Sequence, residues 1–417
     1  MKRSSLIMIL MALFLFLGAP VMAGSKPSER QSGQVSAVPF NASSEARVPF
    51  FSRHGDERLM SWAEKHAQGG TLFFAKWDHE KRQFGPPVQG PKRDMMLVNW
   101  ADYPRLQPGP KFWVWVWPEF ISMKHQYAYG LRFARSFDQG RTWSESQWLH
   151  EDQAPVEHGF VSMATLADGR IAAIWLDGRA MPAQPKEGGG HEHHAEEHGD
   201  MQLRFRIIGK QTLSPEQLWD DRTCECCGTD LVRLENGDLV AAYRNRDKNE
   251  IRDIHFIRYR AGIAEKMTAA FNEQWNIQGC PVNGPALAAH GNRIATAWFS
   301  GKDDGTIGVA MSDNSGTSWH KIHTGEKNQS GRTDLLFTQD GLWASWVQET
   351  ESGLRLWVRP FEGRAKQTQT HLLPHWDIPF PGGRGSGFPQ IEILPDKTLL
   401  AAFVEPGKGI KILSLNK

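Results

Sequence analysis

Three of the four cysteines in this 417-residue chain fall within four positions, Cys224-Glu225-Cys226-Cys227, directly ahead of an apolar alternating stretch from Leu231 to Tyr243. The fourth, Cys280, stands at the matching place before the next such stretch. Thiolates are soft ligands that select copper(I) or zinc, and this group can present several sulfurs to one ion, with His158 as an additional ligand. The other reading is covalent. A disulfide from Cys280 to one member of the triplet would staple two neighbouring structural units, as disulfides do in exported proteins. That leaves two cysteines over, and a bridge between the adjacent Cys226 and Cys227 closes only with strain. The spacing matches neither a Cys-x-x-Cys zinc pair nor a Cys-x-x-Cys-His haem motif. Both readings stay open at this point.

A second metal-type segment lies upstream. Gly188-Gly-Gly-His191-Glu-His193-His194-Ala-Glu-Glu-His198-Gly-Asp200 sets four histidines among acids, with Gly and Pro on its flanks. Such a tract chelates Cu(II), Zn(II) or Ni(II) weakly without a preformed cage, and a solvated low-complexity insertion at about 181–200 accounts for it as well.

The chain that must position these groups carries a net charge of +1, which gives no basis for a nucleic-acid or membrane-surface partner. Residues 1–23 read as a secretory signal peptide: Lys2 and Arg3, an apolar run from Leu6 to Leu17, then Val21-Met22-Ala23 at a small-residue cleavage site. That run is short for a membrane span, and no later stretch is long enough for one. A periplasmic or secreted location is therefore expected. Residues 24–46 are Ser, Gly, Pro and charge with little periodicity, and read as a flexible lead-in.

From there on the pattern has period 2, with turn residues between short runs and no long helix. One unit keeps returning: an apolar strand, a turn of Asp, Gly or Asn, and a second apolar strand that often carries Trp. It appears as Val161 to Trp175, Asp230 to Tyr243, Pro285 to Trp298, Asp334 to Trp346 and Pro389 to Phe403, with weaker copies at Phe50 to Trp62 and Met95 to Trp115. The starts lie roughly 45 to 70 residues apart, the period of propeller blades. A blade cannot bury both faces alone, so the copies must stack into a ring. The expected fold is an all-β propeller of four-stranded antiparallel blades over residues 47–417, seven by this count. The last copy shows three strands, and can borrow its fourth from the lead-in.

A shorter repeat points to a family. Ser136-Phe-Asp138-Gln-Gly140-Arg-Thr142-Trp143 and Ser312-Asp-Asn314-Ser-Gly316-Thr-Ser318-Trp319 share Ser-x-Asp/Asn-x-Gly-x-Ser/Thr-Trp. The Asp or Asn can cap backbone donors, Gly can supply a positive φ, and Trp can plug between blades. This resembles the Asp-box of the sialidase-like (BNR-repeat) superfamily. Val98 to Pro104, Glu157 to Val161, Trp175 to Arg179 and Gly279 to Pro285 are similar to segments of exported bacterial sialidase-like proteins.

The resemblance implies a glycan-directed protein, whether a divergent glycosidase or a sugar binder, with six blades as the family's usual number. Sialidase chemistry uses three arginines on a sugar carboxylate, a late Tyr nucleophile with a Glu, and an Asp acid/base. Ala46-Arg47-Val48-Pro49 nearly matches the family's first arginine motif, and Arg332 and Arg384 stand at later blade starts; Arg179, Arg244 and Arg246 are further candidates for an anionic ligand. Each arginine taken singly also reads as a surface charge or a loop brace. The tyrosines lie at 103, 127, 129, 243 and 259, so no late nucleophile is matched. A two-carboxylate mechanism would instead draw on Asp102, Glu157, Asp177 or Asp230, with Asp247 alongside.

Register adds a placement. In a four-stranded blade the start of the inner strand and the loop after the second strand share one face of the ring. Glu157-His158, Cys224 to Cys227, Cys280, Arg332 and Arg384 precede inner strands, while Asp177 to Arg179, the His tract and Arg244 to Asp247 follow second strands. One functional face is expected, with Cys227 beside Cys280. Its alternatives to a glycan are copper or zinc, or a non-catalytic surface for a protein partner of unknown identity.

Overall fold

The computed structural model describes residues 33–124, 127–181, 199–267, 271–325, 327–338, 341–361 and 375–416. The expected signal peptide, the start of the lead-in, and His191, His193, His194 and His198 lie outside them. The described residues form seven antiparallel sheets arranged as blades, so the repeat count holds and six does not. The inner strands are Ala46–His54, Arg105–Gln107, His158–Thr165, Asp230–Arg233, Ala286–His290, Gln329–Thr338 and Gln390–Ile393, for blades 1 to 7 in chain order. No described helix is long and apolar enough to cross a membrane.

Alternation and turn chemistry make each blade. In blade 3 the second strand, Ile171–Asp177, is buried at every position because strands flank it on both sides and blades cover both its faces. The turn before it runs through Asp168 and Gly169, where a φ of 83° requires glycine and Asp168 Oδ1 accepts from the Arg170 N–H at 3.0 Å. Blade 7 takes its outermost strand from Gln34–Val38, inside the stretch expected to be a flexible lead-in, paired to Gly409–Asn416.

Seven apolar clusters hold the ring together, and each draws on two successive blades. The seam of blades 1 and 2, for example, joins Leu72 and Phe74 to Trp113, Trp115 and Trp117. Both Asp-box turns close as their sequence foretells. Ser136 Oγ accepts from the Gly140 N–H at 2.7 Å, and Asp138 accepts from the Thr142 N–H and hydroxyl at 2.9 and 2.6 Å. Ser312, Asn314, Gly316 and Ser318 repeat the pattern. Trp143 and Trp319 then reach into the seams of blades 1 and 2 and of blades 4 and 5.

Candidate functional site

The ring encloses an axial cavity of about 220 Å³, walled by residues of all seven inner strands or their approaches. Three aspartates reach it, Asp102, Asp230 and Asp334, besides Glu392, which is paired with Arg53. They repeat one device, an inter-blade latch. Asp230 takes the Leu231 N–H on Oδ1 and the Leu287 N–H of blade 5 on Oδ2, at 2.8 and 2.7 Å. Asp334 does the same with Leu335 and with Ile391 of blade 7, at 2.9 and 2.7 Å. Asp102 takes only the Phe160 N–H of blade 3, at 2.8 Å, which leaves its second oxygen free of backbone partners. A Cβ at Gly159 would stand 2.0 Å from that oxygen, so only glycine fits there. Burial raises all three acids, Asp102 and Asp334 to about 7. Asp230 is thus placed as a ring fastener. Asp334 was missed in the sequence, although Thr229-Asp230-Leu231 and Thr333-Asp334-Leu335 spell the same tripeptide.

Behind Asp102 lies a buried proton-bearing group. The Tyr129 hydroxyl donates to Glu157 Oε1 at 2.6 Å. Burial pushes the Glu157 carboxyl up to about 8, and the charges of Asp102 and Glu225 add to the rise. Burial, with the charges of Glu157 and Asp102, raises Tyr129 well above an ordinary phenol. Tyr129 is only 3% exposed, so it can pass or hold a proton but cannot meet a sugar. It was overlooked because a nucleophile was sought only late in the chain.

His158 is placed away from the sulfurs' service. Its Nε2 faces Asp152 at 2.9 Å and Asp177 at 3.6 Å, its Nδ1 faces the Val156 carbonyl at 3.2 Å, and its ring stacks on His150 at 3.9 Å. Asp177 is committed as well. It accepts from Trp175 Nε1 and from Arg179 Nη2 on Oδ2, and from Arg179 Nε on Oδ1. Burial works to raise it, but Arg179 and His158 win and hold it at about 2.

The cysteines do come together. The sulfurs of Cys224, Cys226 and Cys227 lie within 4.8 Å of one another, and Cys224 Sγ stands 3.1 Å from Cys227 Sγ. A disulfide needs about 2.05 Å, and all four cysteines are free thiols. The contact to the exposed Cys280 is made by Cys226, rather than by the expected Cys227. Cys224 and Cys227 are buried, while Cys226 lines the axial cavity. Arg252, 2% exposed, donates from Nη1 to Cys224 Sγ at 3.3 Å and to Glu225 at 2.9 Å, and from Nη2 to Glu250 at 2.8 Å. Thiol contacts from Cys226 and Cys227, with Arg252 beside them, hold Cys224 well below the usual thiol value. The contact with Cys224 raises Cys226, and burial raises Cys227.

Of the six arginines expected to grip an anion, four have other work. Arg246 is paired with Asp200, Glu225 and Glu250. Arg47 donates to the carbonyls of Ser44 and Ala46 in its own turn. Arg179 is paired with Asp177 and Glu216. Arg244, 2% exposed, bolts blade 4 to blade 5 through the carbonyls of Asn283 and Phe299, and also takes that of Arg252. Asp247 caps its own turn through the N–H groups of Asn249 and Ile251.

Arg332 and Arg384 are different. Their guanidiniums lie 5.6 and 6.0 Å from the Trp100 ring, which stacks on Phe388 at 5.8 Å with 8° between the planes. Tyr103 leans on Phe388 at 6.4 Å, and Arg105 covers Tyr103 and Phe50 at 4.8 and 4.3 Å. Blade 2 and blade 7 approaches therefore meet over the cavity, with blade 6 supplying Arg332. Arg332 donates to the carbonyls of Gly387 and Gly383, at 2.7 and 2.9 Å, and among the described residues no carboxylate pairs with it or with the exposed Arg384.

No protein-family model matches the chain, and no curated protein matches it in sequence. Solved structures share its architecture. A protein of unknown function from Dyadobacter fermentans superposes with a TM-score of 0.50 at 13% identity, over 79% of this chain and 98% of that one. The Hadza microbial sialidase Hz136 gives 0.48 at 11%, over 84% and 74%. A PL25 polysaccharide lyase, an ulvan lyase, gives 0.47 at 8%, over 75% and 79%. At these identities the likeness is one of fold alone.

Proposed function

We propose that the protein is an exported binder of anionic saccharides, with its ligand seated on Trp100 and Phe388 between Arg332 and Arg384. The observation that carries this is an aromatic platform flanked by two guanidiniums that no described carboxylate neutralises. A sugar ring offers C–H faces to an indole plane, and its carboxylate or sulfate offers charge to the guanidiniums; apolar walls with a few placed polar groups are how small-ligand sites are built. The cavity beneath, about 220 Å³, accommodates one ring rather than a chain. Asp102, 1% exposed, stands with Tyr129 in the wall of the cavity, behind the surface a sugar would meet. Export rests on the leader expected from the sequence at 1–23, and fractionation of the producing cells tests it.

Calorimetry with uronic-acid, sulfated and sialylated oligosaccharides tests the binding. Trp100→Ala and Arg384→Ala are each expected to weaken affinity about tenfold or more, the worth of one stacking or charge-assisted contact. Binding unchanged in both variants, or confined to neutral sugars, would remove this reading. Asp102→Asn, at a 1% exposed side chain, is expected to leave affinity within a fewfold.

A further inference from the structure

We propose that Cys224, Cys226 and Cys227 form a site for one soft monovalent cation of the copper(I) class, held by sulfur alone. The site is independent of the saccharide platform, since it lies at the head of blade 4 and uses none of the platform's residues.

Four observations converge on it. Three sulfurs stand within 4.8 Å of one another, the spread of a single ion's ligands, and none is at disulfide distance from another. Thiolates prefer copper(I) and zinc among the first-row ions. Zinc in a structural site takes four ligands, and among the described residues the cluster has three. Both nitrogens of His158 face Asp152, Asp177 and the Val156 carbonyl, and the exposed Cys280 meets Cys226 while standing outside the three-sulfur group. Three sulfurs fit an ion content with three.

Charge points the same way. Three thiolates around a monovalent ion keep a net negative charge, which a buried site tolerates only beside cations. Arg252 donates directly to Cys224 Sγ, and Arg244, whose described bonds go only to neutral carbonyls, puts its charge near Cys227. A divalent ion would leave less charge for them to balance. Access is one-sided: Cys224 and Cys227 are each 1% exposed, and Cys226 opens on the axial cavity. An ion would enter through Cys226.

The test uses the whole chain, purified with reductant under anaerobic conditions and titrated with copper(I) against bathocuproine disulfonate. To separate the cluster from the histidine tract, the measurement is repeated with His191, His193, His194 and His198 changed to Ala. One copper(I) per chain is expected in both backgrounds, with a near-ultraviolet sulfur-to-copper band and an all-sulfur shell in X-ray absorption. Cys226→Ser and Cys227→Ser should each weaken retention at least tenfold, the lower end of what even a metal's supporting partners contribute, with circular dichroism unchanged. Cys280→Ser should stay within about threefold. Equal retention in Cys226→Ser and Cys227→Ser overturns the proposal. So does preferential retention of zinc with four sulfurs that include Cys280, or two disulfides in protein isolated without reductant.

Discussion

The head of blade 4 and the mouth above blades 6 and 7 are built from similar residues and end with opposite remainders. In blade 4, Arg246 and Arg252 are met by Glu225 and Glu250, and Arg244 by carbonyls. What is left over there is sulfur. At the mouth, Arg332 has only carbonyl partners, Arg384 is exposed, and the neighbours are aromatic faces. What is left over there is positive charge. Residue type alone would rank the two regions alike, since both are rich in arginine. The groups left without a partner decide which ligand each can take.

The largest test of that contrast is Arg252→Leu. It removes three hydrogen bonds, to Glu225, Glu250 and Cys224 Sγ, and leaves both carboxylates to Arg246 alone. At about 1.5–3 kcal/mol for a hydrogen bond to a charged group, the loss is about 3–5 kcal/mol. Urea denaturation should show that loss, whereas Arg384→Leu should stay within about 0.5 kcal/mol, as for an exposed side chain. Equal effects would erase the distinction between matched and unmatched arginines.

Next in size is Asp334→Ala. It leaves the N–H groups of Leu335 and Ile391 unpaired between blades 6 and 7, at about 1–3 kcal/mol for each buried donor. Amide exchange should rise first at Ile391. Protection unchanged there would mean that the latch does not hold the blades.

The smallest test uses pH, where matched and unmatched acids separate by sign. Asp177, matched by Arg179, sits at about 2 in the fold, so the unfolded chain takes up its proton first. Its contribution, about 2 kcal/mol from the size of that shift, is complete above about pH 4 and is lost as pH falls toward 2. Asp334, with no guanidinium bonded to it among the described residues, sits at about 7, so the folded chain holds its proton more tightly. Stability from that group is full below about pH 4 and declines as pH rises to 7. Asp177→Asn should shrink the acid limb of the stability profile by about 2 kcal/mol and leave the alkaline side unchanged; an unchanged limb would show that Arg179 does not hold the Asp177 proton off.

The ring was readable in the sequence because its signals are local. Alternation, the Ala-Asp-Gly and Glu-Asn-Gly-Asp turns and two Asp-boxes each sit within about a dozen residues, and the three-stranded last copy announced a borrowed strand. The sulfur cluster was readable for the same reason, since Cys224 to Cys227 are neighbours in the chain. Pairing was not readable. Arg252 meets Glu225 across 27 positions, and Arg244 reaches the Phe299 carbonyl across 55. No window on the sequence separates a committed guanidinium from a free one. Trp100 and Phe388 come from blades 2 and 7, so the platform exists only once the circle is closed. His158 looked like a ligand because it stands at a blade head, and only its two acids and its stacked partner reveal that its nitrogens are occupied.

The strand Gln34–Val38 pairs with Gly409–Asn416, residue by residue from Gln34↔Asn416 to Val38↔Ile412. During synthesis it is among the first described segments to leave the ribosome, yet its partner is among the last. At ordinary elongation rates the wait is on the order of tens of seconds. Through that interval blades 1 to 6 can collapse against one another while the circle stays open, and Phe388 has no fixed position opposite Trp100. The platform is therefore an end-of-synthesis product. A chain stalled before the final strand would carry every residue of the thiol cluster but lack an assembled mouth.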